Sequence, residues 1–309
     1  TLKVIYNAAS TVATGSQTDV QNLKVTNQGS ANTAAADAAT NAKFMTVDID
    51  KVETLAITTA GTANSLDLAA SADVKTVTVA GEGQTEISAL GTAVTSFDAS
   101  AATGKVIVDT TAAATNALTT VKTGAGDDTV KALTDDLTAN ATVSGGTGAD
   151  TLSFTGGAVK TLQNTITGFE TIKVGAISGA LTFSGTNVSD VTTITTEGMN
   201  AAASFVNMKA NAVTVNSIGA EATATDKISV DNAAAVTYNL KAATATTTTG
   251  TTADINNGDA EFANATSLVV NVGELVDSTG VITAGSATSA TLNVASKVVA
   301  ATEMTKFTN

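Results

Sequence analysis

Apolar and polar residues alternate in short runs along most of this chain, and the runs recur. Residues 23–27 read LKVTN, 55–59 LAITT, 77–81 VTVAG and 172–176 IKVGA. The same phrase returns at 192–196, 213–217, 228–232, 268–272 and 291–295. Alternation at period two, rich in β-branched residues and bounded by Gly, Asn or Ser, predicts strands with one buried face. The spacing carries further information. Ile57 and Val79 lie 22 residues apart, Val130, Leu152 and Val174 follow at 22 and 22, then Ile194 and Val215 at 20 and 21. A period near 20–22 residues predicts one coil of an all-β parallel β-helix, or solenoid. At about 4.8 Å per coil, roughly a dozen coils make a rod on the order of 60 Å long.

The period is interrupted. Leu23 to Leu55 spans 32 residues and Ile228 to Leu268 spans 40. The intervening stretches, 29–43 and 242–259, are rich in Ala, Thr and Gly. ANTAAADAATNAKF at 31–44 has the composition of a short helix, whereas the Thr run at 246–249 reads as loop or edge strand. Residues 1–220 read as solenoid, and 221–309 as its continuation or a second β subdomain, with 220–265 the best place for a break. The alternative fold is a tandem β-sandwich, which short strands at close spacing also permit.

Two glycine–aspartate nonapeptides stand out of this pattern. They are TGAGDDTVK at 123–131 and GGTGADTLS at 145–153. The second has every fixed position of the repeat G-G-x-G-x-D-x-U-x, with Leu152 as the apolar residue. The first has Thr123 in place of the opening glycine and Val130 in the apolar slot. Glycines allow a tight turn with inward carbonyls, the aspartate adds an anionic oxygen, and the apolar residue opens a buried strand.

Composition narrows the function. The 309 residues include no Cys, His, Pro or Trp, and all 15 basic residues are Lys. Without Cys there is no disulfide, zinc–thiolate site or thiol nucleophile, and without His no Ser-His-Asp triad. The formal net charge of −13 and pI of about 4.3 argue against nucleic acid, which wants a basic footprint. No apolar run reaches the length of a membrane helix, so no membrane insertion is expected. The chain opens at Thr1, not Met, and shows no signal peptide, which suits a fragment or processed product. Paired acids can hydrolyse glycosides, but such sites use sugar-stacking aromatics, and Tyr6 and Tyr238 are the only Tyr here. Phe44, Phe97, Phe154, Phe169, Phe183 and Phe205 are expected in the core.

The nonapeptides, together with AVTSFDAS at 93–100 and GFETIKV at 168–174, resemble the RTX group of secreted bacterial proteins. More narrowly, the chain is similar to the calcium-dependent surface-layer (S-layer) proteins of the Caulobacter and Campylobacter kind. The resemblance implies a structural protein, not an enzyme, secreted by a type I system and crystallising with itself into a two-dimensional lattice on the cell surface. It implies Ca²⁺, held by the carboxylates of Asp128 and Asp150 and the carbonyls of Gly124, Gly126, Gly146 and Gly148. Lipopolysaccharide is the implied anchor, through a region outside this chain. Asp127 reads as solvated or outer-shell, and Asp135 and Asp136 as part of the connecting turn, with ligation of a second ion by one of them as the alternative. Asp48, Asp50 and Glu53 put two carboxylates on one strand face, read as solvated with Lys43 or Lys51 nearby, with a calcium role as the alternative. Asp226, Asp231, Asp254 and Asp259 carry no assignment. An RTX-type adhesin stalk is the alternative function, and a β-roll accessory domain of a secreted hydrolase a third.

Overall fold

A computed structural model of the chain describes residues 2–5, 19–28, 44–111, 116–156, 160–162, 165–184, 190–208, 212–218, 227–241, 259–273, 280–295 and 307–308. Among these there is no helix, and the strand pairings are parallel. The protein is a parallel β-solenoid. A β-sandwich would need antiparallel neighbours, so that alternative falls. The chain divides into two compact units, Thr1–Leu152 and Ser153–Asn309. The division lies ahead of the 220–265 stretch where the weakened period had suggested a break. The solenoid continues beyond 220, as strands Ala235–Lys241, Ser267–Val272 and Ser289–Val294 pair in sequence. The suggested helix at 31–44 and the Thr run at 246–249 lie outside the described residues, except Phe44.

In the first unit each coil contributes two strands, one to each of two sheets. One sheet stacks Met45–Asp50, Asn64–Asp67, Thr85–Ile87, Val106–Asp109 and Thr129–Leu133. The other stacks Val20–Thr26, Thr54–Ala60, Thr76–Gly81, Ser96–Ala102, Leu118–Lys122 and Leu137–Ser144. The chain visits the two sheets alternately, so strand neighbours are about one coil apart in sequence. Ile57 pairs with Val79 as the spacing predicts. Inward positions hold Val, Ile, Leu and Ala: Val47, Leu55, Ile57, Leu66, Val77, Val79, Val106 and Val108 are all buried. β-Branched side chains of similar size stack on one another from coil to coil and fill a thin interior.

The second unit repeats this plan with larger residues. One sheet stacks Thr171–Val174, Thr193–Glu197, Ala212–Ile218, Ala235–Lys241, Ser267–Val272 and Ser289–Val294. The facing sheet includes Leu181–Ser184, Ala203–Val206, Ile228–Val230, Ala260–Glu261 and Ile282–Thr283. Phe154, Phe183 and Phe205 stack on the inside, with ring centroids 5.3 and 5.0 Å apart, and Tyr238 meets Phe262 edge-on at 5.4 Å. Such pairs add about 1 kcal/mol each beyond area burial. Phe97 and Phe169 are also buried, so five of the six predicted core phenylalanines are, and Phe44 is half-exposed.

Two registers differ from the simple spacing. Ile194 pairs with Ile172, and Val174 pairs with Thr196, so 22 residues holds where 20 was read. Ile228 and Leu268 belong to different sheets: Ile228 pairs with Ala260, while Leu268 pairs with Val236. The 40-residue interval was a comparison across the two strands of a coil, not along one.

Candidate functional site

The glycine–aspartate turns sit in the first unit, each between a strand of one sheet and a strand of the other. Leu118–Lys122 leads into the first turn and Thr129–Leu133 leaves it; Leu137–Ser144 leads into the second. The turns stack directly. Ala125 bridges Thr147 in parallel, the Thr147 amide donates to the Gly124 carbonyl at 2.9 Å, and the Gly126 amide donates to the Thr147 carbonyl at 3.0 Å. Gly146 and Gly148 have φ of +91° and +143°. A Cβ on either would lie 1.9 Å from the carbonyl oxygen of Gly124 or Gly126 respectively. Both positions therefore require glycine twice over: for the left-handed backbone and for contact between successive turns.

The sequence-predicted carboxylates are brought one above the other, each 1% exposed. Asp128 accepts from the Val106 amide through Oδ1 at 2.6 Å and from the Gly124 amide through Oδ2 at 3.1 Å. Asp150 accepts from the Asp128 amide through Oδ1 at 2.7 Å. Val106, Asp128 and Asp150 are 22 residues apart, so each carboxylate braces its own coil to the preceding one. Thr123, where the motif has glycine, donates its hydroxyl to the Gly145 carbonyl at 2.6 Å, another brace between turns. Burial pushes the Asp128 carboxyl up from its ordinary value, against the downward pull of its hydrogen bonds from the Val106 and Gly124 amides and of the Lys105 charge.

This donor set was tested against a calcium ion, which takes roughly six to eight oxygens and several carboxylates. Both Asp128 oxygens and the Gly124 carbonyl face N–H groups, whose positive ends stand where a cation would draw those lone pairs. Among the described residues no three acidic side chains gather as a metal cluster. At Asp128 and Gly124 the turns therefore present oxygens already bonded to amides. What they fit is a ladder of charge-assisted hydrogen bonds, which are among the stronger kinds.

The other acidic candidates divide in the same way. Asp136 is fully buried and accepts from the Asn116 amide at 3.1 Å, the Leu133 amide at 2.7 Å and the Thr110 hydroxyl at 2.5 Å. Burial raises its pKa, while those hydrogen bonds pull it down and Asp135 pushes it further up. Asp135 beside it is exposed. Asp127 is not merely solvated: it accepts from the Ala149 amide at 2.9 Å. Asp48 and Asp50 share the outward face of their strand as predicted, and Glu53 accepts from the Asp19 amide at 3.2 Å. Asp231 accepts from the Asn264 side chain and Asp259 from the Val281 amide at 2.8 Å. Asp226 and Asp254 lie outside the described residues.

Three braces of this kind were missed in the sequence. Asp73 accepts from the Lys51 amide at 2.9 Å, Asp190 from the Gly168 amide at 2.8 Å, and Asp259 as above. Each pair is again 22 residues apart. An aspartate one full period from a turn residue was the available signal. No protein-family model, curated protein or solved structure matches the chain.

Proposed function

We propose that this chain is a structural, non-catalytic protein that assembles with itself into a bacterial surface layer. The observation that carries the structural half is the use made of the buried carboxylates. Asp128, Asp136 and Asp150 are each at most 1% exposed and hydrogen-bonded across or within coils. Acids in that state brace a scaffold; a general acid or nucleophile must reach a substrate. The lattice, the cell-surface location and type I export come from the resemblance of the nonapeptides to RTX surface-layer proteins. Calcium comes from the same resemblance, and an ion on the acidic surface between copies is the placement that leaves the amide bonds of Asp128 intact. Such an ion would relieve repulsion between copies of a chain of net charge −13.

Electron microscopy of the purified chain, with millimolar calcium and with a chelator, tests this reading. Ordered sheets are expected. Sheets in both conditions make the lattice independent of calcium, in keeping with the hydrogen-bonded turns. Sheets with calcium alone place the ion between copies. Isolated particles in both conditions overturn the lattice and favour an adhesin stalk.

A further inference from the structure

The outward face of one sheet in the second unit forms a regular grid. Thr193, Thr214, Thr237, Val269 and Thr291 are register partners in one column. Thr195, Asn216, Asn239, Asn271 and Asn293 are partners in the next. Ala212, Ala235, Ser267 and Ser289 form a third. None of these fourteen residues is charged, in a protein where 14% of residues are. Charge on this face lies at its rim, on Lys173, Glu197 and Lys241, whereas outward positions of first-unit strands carry Asp48, Asp50, Asp67, Glu86, Asp109 and Lys131.

The asparagines are bonded to one another. Asn239 donates to Asn216 at 2.9 Å, Asn271 to Asn239 at 2.7 Å, and Asn293 to Asn271 at 2.8 Å. Each interior amide of this ladder thus spends a donor and an acceptor within the face. Covering it with another surface costs less desolvation than covering isolated amides or ions.

We infer that this grid is a contact surface between two copies of the chain, packed face to face about a two-fold axis. The inference rests on the self-assembly proposed above and names the surface that performs it. Three observations select a second copy as the occupant. With a net charge of −13 two copies repel, and an uncharged patch is where they approach at least cost. A two-fold contact sets a surface against itself, and the fourteen grid positions meet no like charge, since Lys173, Glu197 and Lys241 lie at the rim of the face. Five strands about 4.8 Å apart and three columns about 6.6 Å apart cover roughly 500 Å² on each copy, about 1,000 Å² in total, the lower bound for a specific interface. A contact of that size is weak alone and becomes firm when repeated through a lattice.

The test uses the whole chain. Light scattering across a concentration series compares the wild type, the pair Thr237→Lys with Val269→Lys, and the control pair Thr58→Lys with Thr78→Lys in the first unit. The grid pair should weaken association at least tenfold, and the control should leave it within twofold. Because the chain has no cysteine, a single Thr237→Cys gives a second readout that leaves the charge alone. Thr237 is on the middle strand and in the middle column, next to the expected two-fold axis, so oxidation should yield a covalent dimer, and Thr58→Cys should not. If the wild type associates while the grid pair associates equally and Thr237→Cys stays monomeric, the face is wrong and the lattice reading survives. If the wild type stays monomeric up to concentrations where sheets should form, the lattice reading fails with it.

Discussion

The two units wind the same coil and brace it differently. In the first, the turns are packed glycine on carbonyl, and buried aspartates hold one coil to the next. In the second, among the described residues, Asp190 and Asp259 accept from amides 22 residues away, Asp231 accepts from Asn264, and asparagine contributes further bracing. Asn207 and Asn232 take positive φ of 56° and 64° at corners, and Asn264 donates to Asn232 at 2.9 Å. The amide ladder runs along the outward face as well. The comparison shows that coil-to-coil bracing can be ionic or neutral at equal geometry, with different consequences. Aspartate gives stronger bonds but buries charge, which ties stability to pH. Asparagine gives weaker bonds and leaves the columns it occupies without charge.

The largest expected difference lies in the turns. Gly148→Ala should cost about 4 kcal/mol, from left-handed strain plus the clash of its Cβ with the Gly126 carbonyl. Gly198→Ala in the second unit has the strain of φ +65° but nothing within 4 Å, and should cost about 1 kcal/mol. Urea unfolding followed by circular dichroism separates the two. Equal costs would mean that turn stacking contributes little.

Asp128→Ala is next. It leaves the Val106 and Gly124 amides buried without their acceptor, a loss of about 3 kcal/mol. Amide exchange at Val106 reads it locally, and the same loss should appear with calcium or with chelator. A variant that is destabilised only when calcium is present would restore the metal role.

The pH dependence is smaller and its sign is definite. The Asp128 and Asp136 carboxyls are raised by burial. Their contribution is therefore fully present below the ordinary carboxylate value of 3.8 and is lost as pH rises through the raised values. Asp98 works oppositely: burial pushes it up, but bonds from Ser100 and the Lys122 charge outweigh that, and its contribution disappears as pH falls. Protection of the Val106 and Gly124 amides, corrected for intrinsic exchange, should increase on mild acidification. Asp128→Asn should abolish that trend.

The smallest effect belongs to the neutral ladder. Asn239→Ala removes two half-exposed side-chain bonds and should cost about 1 kcal/mol with no pH dependence. A larger loss would make the ladder a stability element in its own right, not chiefly a surface.

Much of the fold was legible in the chain because side-chain alternation and a 22-residue period report burial and stacking without reference to distant residues. Ile57 against Val79 is the plainest case. The second strand of each coil was harder to see. Asn64–Asp67 and Thr85–Ile87 are too short for alternation to stand out from the turns around them. The candidate site was legible as residues. The nonapeptides identified Asp128 and Asp150 as special, and they are, as buried acceptors.

By itself the sequence determined an all-β parallel coil, its repeat length, and which side chains point inward, because these follow from local periodicity. Only the tertiary structure decided what each aspartate faces. The partner is an amide 22 residues away, and whether an N–H or a cation meets the carboxylate depends on the register in which coils stack. The asparagine ladder is of the same kind. Asn239 and Asn271 are 32 residues apart and become neighbours because strands Ala235–Lys241 and Ser267–Val272 pair side by side in register.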